Sequence, residues 1–100
     1  MVYNQSKLFE YDPHKTLSNK LKHGIDFQEA QRIWSSPYLE IPLQTEDEKR
    51  WLIVGKIDNK FWSAIITQRN QKIRIISVRR SRHEEKIVFQ KLSERQTDER

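Results

Sequence analysis

A chain of 100 residues with 35% apolar side chains and ten aromatics holds a single domain with one thin core. The absence of cysteine excludes disulfides, thiol nucleophiles and thiolate zinc sites. No apolar run approaches the ~18 residues of a membrane span and no signal-like segment opens the chain, so the expectation is a cytoplasmic protein without membrane contact. Net charge is +5, unevenly spread. Residues 25–48 carry one basic and six acidic side chains, whereas residues 49–80 carry nine basic and one acidic. That separation suits a polyanion or an acidic protein partner.

In chain order, residues 7–11 read as a short first strand. Asp12 and Pro13 then open a helix as N-cap and first helical residue. Leu17 and Leu21 give it a narrow apolar stripe. Gly24 closes it, with Lys20, Lys22 and His23 in the last turn, where cations suit the helix dipole. Asp26 and Glu29 form a capping-box pattern for a second helix, whose Phe27, Ala30, Ile33 and Trp34 share one face; Pro37 ends it. Tyr38 to Leu43 predicts a strand, and Pro42 places it at a sheet edge. After a polar loop, Arg50 to Ile57, Lys60 to Gln68 and Lys72 to Arg79 form a meander through turns at Asp58-Asn59 and Asn70-Gln71. Apolar side chains on both nominal faces of the last strand suggest a central strand covered on each side. Ser81 and Glu84 predict the cap of a final helix bearing Ile87, Val88, Phe89 and Leu92. The expected domain spans 1–92, with a polar tail over 93–100. The fold class is α+β, in the order β-α-α-β-β-β-β-α, with helices packed on an antiparallel sheet.

Chemistry is narrowed by what is missing. His14, His23 and His83 lack metal-ligand spacing, so no metal or other cofactor is expected. Two glycines cannot build a phosphate-cradling loop, and no nucleophile elbow supports a serine triad. Metal-free cleavage of an RNA phosphodiester remains. It needs a base for the 2′-hydroxyl, cations for the phosphorane and an acid for the leaving oxygen. Arg74, Arg79 and Arg80 lie on or just past one strand, a rigid support for phosphate contacts, while Glu48 and Arg50 flank the start of another. Arg74 and Arg79 have opposite nominal parity, so they share a site only if the strand bends or ends near Val78. Phe61 and Trp62 point to opposite faces and cannot form one stacking platform; Phe61 is the better core residue.

Three stretches together resemble a known family. They are Phe9-Glu-Tyr-Asp-Pro-His-Lys15 with Asn19, Lys22-His-Gly24, Phe27 and Glu29-Ala30; Glu48-Lys-Arg50-Trp51 with Ile53-Val-Gly55; and Ile73-Arg-Ile-Ile-Ser-Val-Arg79-Arg80 with Glu85. The ordered set is similar to the BrnT toxins of type II toxin–antitoxin systems. The resemblance implies a RelE-like ribonuclease fold and an endoribonuclease that inhibits translation. It also implies a BrnA-like antitoxin partner, through which alone the protein would meet DNA. Lys15, Lys22, His23, Glu48, Arg50, Arg74 and Arg79 match the family's polar positions. Of these, Arg79 and Arg50 would hold the scissile phosphate, and Glu48 or His23 would be the base. Lys15, Lys22, Arg74 and Arg80 would bind RNA. Tyr11 stands where Trp is common, and Phe89 where Tyr is frequent, so a phenolic hydroxyl is missing there. The competing reading is a non-catalytic basic module that binds nucleic acid or an acidic protein. A transcription factor fits less well, because the Phe27–Trp34 helix carries only Arg32 as a base-reading cation.

Overall fold

The computed structural model describes residues 8–98, and side chains through Leu92. Local chemistry sets the first helices. Asp12 accepts from the His14 N–H (2.7 Å) to cap α1 (Pro13–His23), and Gly24 leaves it in the left-handed region at φ 79°. The expected capping box closes on α2 (Phe27–Ala30). Asp26 accepts from the Glu29 N–H (2.7 Å), and Glu29 accepts from the Asp26 N–H (2.9 Å). The helix tightens into a 3-10 turn over Gln31–Ser35 instead of continuing as α-helix.

Five strands follow the order β1-β5-β4-β3-β2. They are β1 (Phe9–Glu10), β2 (Tyr38–Leu43), β3 (Arg50–Ile57), β4 (Lys60–Arg69) and β5 (Lys72–Arg80). Both hairpin turns take positive φ at their two central residues, Asp58-Asn59 and Asn70-Gln71, as tight two-residue hairpins require. β2 lies at the edge, the position expected from Pro42. β1 pairs with β5 in parallel and spans two residues; all other pairings are antiparallel. Of the 7–11 strand, Lys7 lies outside the described residues. The helix α3 (His83–Asp98) completes the order β-α-α-β-β-β-β-α of an α+β domain, and its backbone runs past Leu92 through Asp98.

One core face of the sheet packs against α2 and the 3-10 turn, through Phe27, Ala30, Ile33, Ile53, Ile66 and Val78, all essentially solvent-free. Gly55 lets Ile33 approach: a Cβ there would lie 2.9 Å from the Ile33 Cγ2. Although β4 is the middle strand, β5 lies inside the sheet as expected, between β1 and β4. Its two-sided apolar pattern comes from a bulge. Ile65 pairs with Ser77 and Ile66 with Ile75, so Ile76 is an extra residue. Beyond it the alternation is reset, and Ile75 and Val78 both enter the core.

α3 begins one residue later than the Ser81/Glu84 pattern predicts. Glu85, not Glu84, accepts from the N-cap backbone, at the Arg82 N–H (2.9 Å). The Ser81 hydroxyl is used elsewhere, on Ser63 (2.7 Å).

The stripe on α1 also faces an unexpected way. Leu17 and Leu21 are 66% and 88% exposed, whereas Asn19 is buried. Where β1 has ended, Asn19 takes a strand's place beside β5. Its carboxamide accepts from the Val78 N–H (3.2 Å) and donates to the Val78 carbonyl (2.8 Å) and the Ile25 carbonyl (2.9 Å). Asn19→Ala strands these backbone groups and should cost about 2–3 kcal/mol in urea denaturation; a loss below about 0.5 kcal/mol would show that the clamp is dispensable.

Candidate active site

Residues paired across an antiparallel ladder share a face. From the β4–β5 register, Arg74, Ser77 and Arg79 lie on one face with Thr67, Ile65 and Ser63. The β3–β4 register adds Leu52 beside Ile65, and hence Arg50, two residues earlier. The bulge at Ile76 therefore brings Arg74 and Arg79, of opposite nominal parity, to a common face with Arg50. This face lies opposite the core. α3 covers one end of it, through Glu85 on Ser63 and Arg79 and through Phe89 on Phe61. Arg50, Arg74 and Ser77 remain partly exposed.

Each guanidinium on this face has a carboxylate. Arg79 makes a two-point pair with Glu85, at 2.9 and 2.8 Å. Glu85 also accepts from the Ser63 hydroxyl (2.7 Å) and the Arg82 N–H (2.9 Å), and its side chain is only 14% exposed. The Arg79 guanidinium, helped by these two donors, holds the Glu85 carboxyl down at about 2. At the other end, Glu48 lies between Arg69 (3.2 Å) and Arg50 (3.4 Å). Arg69, and then Arg50, keeps its carboxyl below the usual range. Glu10 reaches Arg74 at 3.5 Å. Glu48, Arg50 and Arg69 line a depression of about 570 Å³ with Thr45, Glu46 and Asp47. Arg50 and Arg74 flank Thr67 from its two sides, with backbones ~10 Å apart, and Arg79 lies ~13 Å further along the ladder.

The remaining candidates stand elsewhere. Arg80 falls on the core face, stacked over Trp62 (5.4 Å) and bonded to the Phe61 carbonyl. Lys15, Lys22 and His23 are exposed on α1. The Gly24 that follows His23 lines a separate depression with Ile57, Lys60 and Trp62, all reached from the core face. The residue at the unusual position 89 is a packing residue: its ring meets Phe61 edge-on at 5.2 Å. Tyr11 likewise packs edge-on against Phe27, at 5.6 Å.

Sequence reasoning left out Arg69 and Glu10, and took Glu85 only as part of a motif. Arg69 was accessible from the hairpin, because the Asn70-Gln71 turn fixes its parity. Glu10 needed the parallel β1–β5 pairing, which nothing local announces. Among the described residues no group of three or more His, Cys, Asp or Glu could share a metal ion, and no helix is long and apolar enough to cross a membrane.

The family model described as "Ribonuclease toxin, BrnT, of type II toxin-antitoxin system" matches residues 11–85. No curated protein matches the chain. The matched segment runs from just after β1 to Glu85, and includes Glu48, Arg50, Arg69, Arg74 and Arg79.

The depressed Glu85 carboxyl makes stability depend on pH. Its folded value lies below the ordinary 4.5, so its contribution is complete above that value and drains as pH falls towards 2. The parent should exceed Glu85→Gln by roughly 2–3 kcal/mol at pH 7, with the gap narrowing as pH falls through 4.5 towards 3, by urea titration. An unchanged gap at both ends would contradict this linkage.

Proposed function

The chain belongs to the BrnT family of ribonuclease toxins of type II toxin–antitoxin systems, and from that premise we propose that it cuts RNA internally, without a metal ion, on the open face of its sheet. A co-encoded, BrnA-like antitoxin neutralises it. The observation that carries this reading is the common face of Arg50, Arg74 and Arg79, created by the Ile76 bulge. Guanidinium groups on a rigid sheet, held in place by carboxylates, suit the phosphates of a flexible single strand.

Roles follow from the surroundings of each group. Arg50 and Arg74 flank Thr67 and grip the scissile phosphate from two sides. Their charge stabilises the dianionic phosphorane. Arg79 is committed to Glu85 and meets a neighbouring phosphate of the same strand. Glu48 adjoins Arg50 and is ionised at neutral pH, so it takes the proton of the 2′-hydroxyl. Its lowered basicity makes it a modest base, and Arg69 and Arg50 offset this by drawing the phosphate towards it. The 2′-oxygen then forms a bond to phosphorus as the bond to the 5′-oxygen breaks. The departing oxygen takes a proton from water, which reaches this partly exposed face. The products are a 2′,3′-cyclic phosphate and a 5′-hydroxyl. His23, at the end of α1, does not adjoin these groups; with Lys15, Lys22 and Arg80 it is assigned to contacts with RNA beyond the scissile step.

Purified protein incubated with RNA and excess chelator should yield fragments ending in cyclic phosphate. Arg50→Ala, Arg74→Ala and Glu48→Gln should each slow cleavage ~10²–10³-fold while circular dichroism stays unchanged. Steeply salt-dependent RNA binding without cleavage would favour the non-catalytic binding module instead.

A further inference from the structure

The amphipathicity of α1 is inverted with respect to the core. Its inward side is polar: Asn19 is buried on β5, and the Thr16 hydroxyl accepts from the Phe27 N–H (2.8 Å). Its outward side carries Leu17 and Leu21, 66% and 88% exposed, with His14 on the same face by helical spacing. Two leucines one turn apart, aimed at solvent, gain nothing for the isolated fold. Lys15 and Lys22 share a column on one flank of the helix, about 100° round from Leu21 with Ser18 between, and neither is in a salt bridge among the described residues. Lys20, the third lysine, is already held by Glu29 (2.9 Å). α1 contains no Asp or Glu.

We infer that the outward face of α1 is a docking surface for an acidic amphipathic segment of a protein partner, and that this partner is the antitoxin. The inference rests on the proposed function and adds to it a surface apart from the arginine face. Apolar residues of the segment cover Leu17 and Leu21, while its carboxylates meet Lys15 and Lys22. Charge complementarity selects an acidic partner, and the leucines select a protein. RNA would be held by cations and stacked aromatics, and aliphatic side chains offer it neither stacking nor a hydrogen bond. An 11-residue helix is ~16 Å long and so matches a partner segment of two to three turns. On this arrangement the segment's carboxylates take Lys15 and Lys22 away from RNA, while the arginine face itself is left uncovered.

Calorimetric titration of the full chain with its co-encoded antitoxin tests the surface. The double substitution Leu17→Ser, Leu21→Ser should weaken binding ~100-fold, as expected for exposing two leucines, and leave RNA cleavage by the free chain unchanged. Lys15→Glu with Lys22→Glu should weaken binding ~10-fold and flatten its salt dependence. Binding of the leucine variant within about threefold of the parent would overturn the inference while leaving the toxin reading intact. A dimer of the parent, dissolved by the leucine variant, would overturn it in favour of a second copy as occupant. A parent that neither cuts RNA nor binds the antitoxin would instead overturn the toxin–antitoxin reading itself.

Discussion

The extra residue Ile76 in β5 is the constraint on which the rest of this structure depends. Without it, Arg79 would sit on the face opposite Arg74, and the cations of the last strand would be divided between core and solvent. With it, Val78 turns into the core, Arg79 turns out towards Glu85, and the two arginines share a surface with Arg50. Bulges interrupt a ladder, and the flanking contacts pin this one. Asn19 satisfies both backbone groups of Val78, two residues beyond the bulge. Glu85 then fastens Arg79 to the start of α3. Core packing and site geometry are thus set by one local irregularity.

The basic block of residues 49–80 takes on a different meaning in three dimensions. Its nine cations do not form one bare patch. On the open face Arg50 and Arg69 share Glu48, Arg74 meets Glu10, and Arg79 is bound to Glu85. Pairs with exposed partners contribute little to stability, so what Glu48 and Glu10 provide through them is orientation of the guanidinium groups, beside the proposed role of Glu48 as base. The Arg79–Glu85 pair differs, because Glu85 is largely withdrawn from water and accepts four hydrogen bonds. Removing one member leaves the other poorly solvated, which makes this pair a fastener of α3 as well as an element of the site.

Much of the architecture was legible in the sequence because it is dictated locally. Asp12 with Gly24, the Asp26–Glu29 box, the two hairpin turns and Pro42 at the edge each act through the nearest few residues. What was not legible depends on partners far along the chain. The bulge leaves no distinctive residue at Ile76, so two shifted one-sided halves read as one two-sided strand. The stripe of Leu17 and Leu21 was visible, but its direction is set by Asn19, whose bond to Val78 joins positions 59 residues apart. Nominal alternation groups Arg80 with Arg74, and the bulge sends it instead to Trp62 on the other side. Glu85 displaced Glu84 at the cap because Arg79 and Ser63 already hold it there.

The most direct test of a single anion-binding face is an NMR titration with a non-cleavable RNA, its 2′-hydroxyls replaced by 2′-O-methyl groups. Substrate on the open face predicts that the guanidinium signals of Arg50, Arg69 and Arg74 and the amide of Ser77 shift together at one common affinity. Shifts confined to Arg80, Trp62 and the end of α1, with those arginines unmoved, would contradict the account.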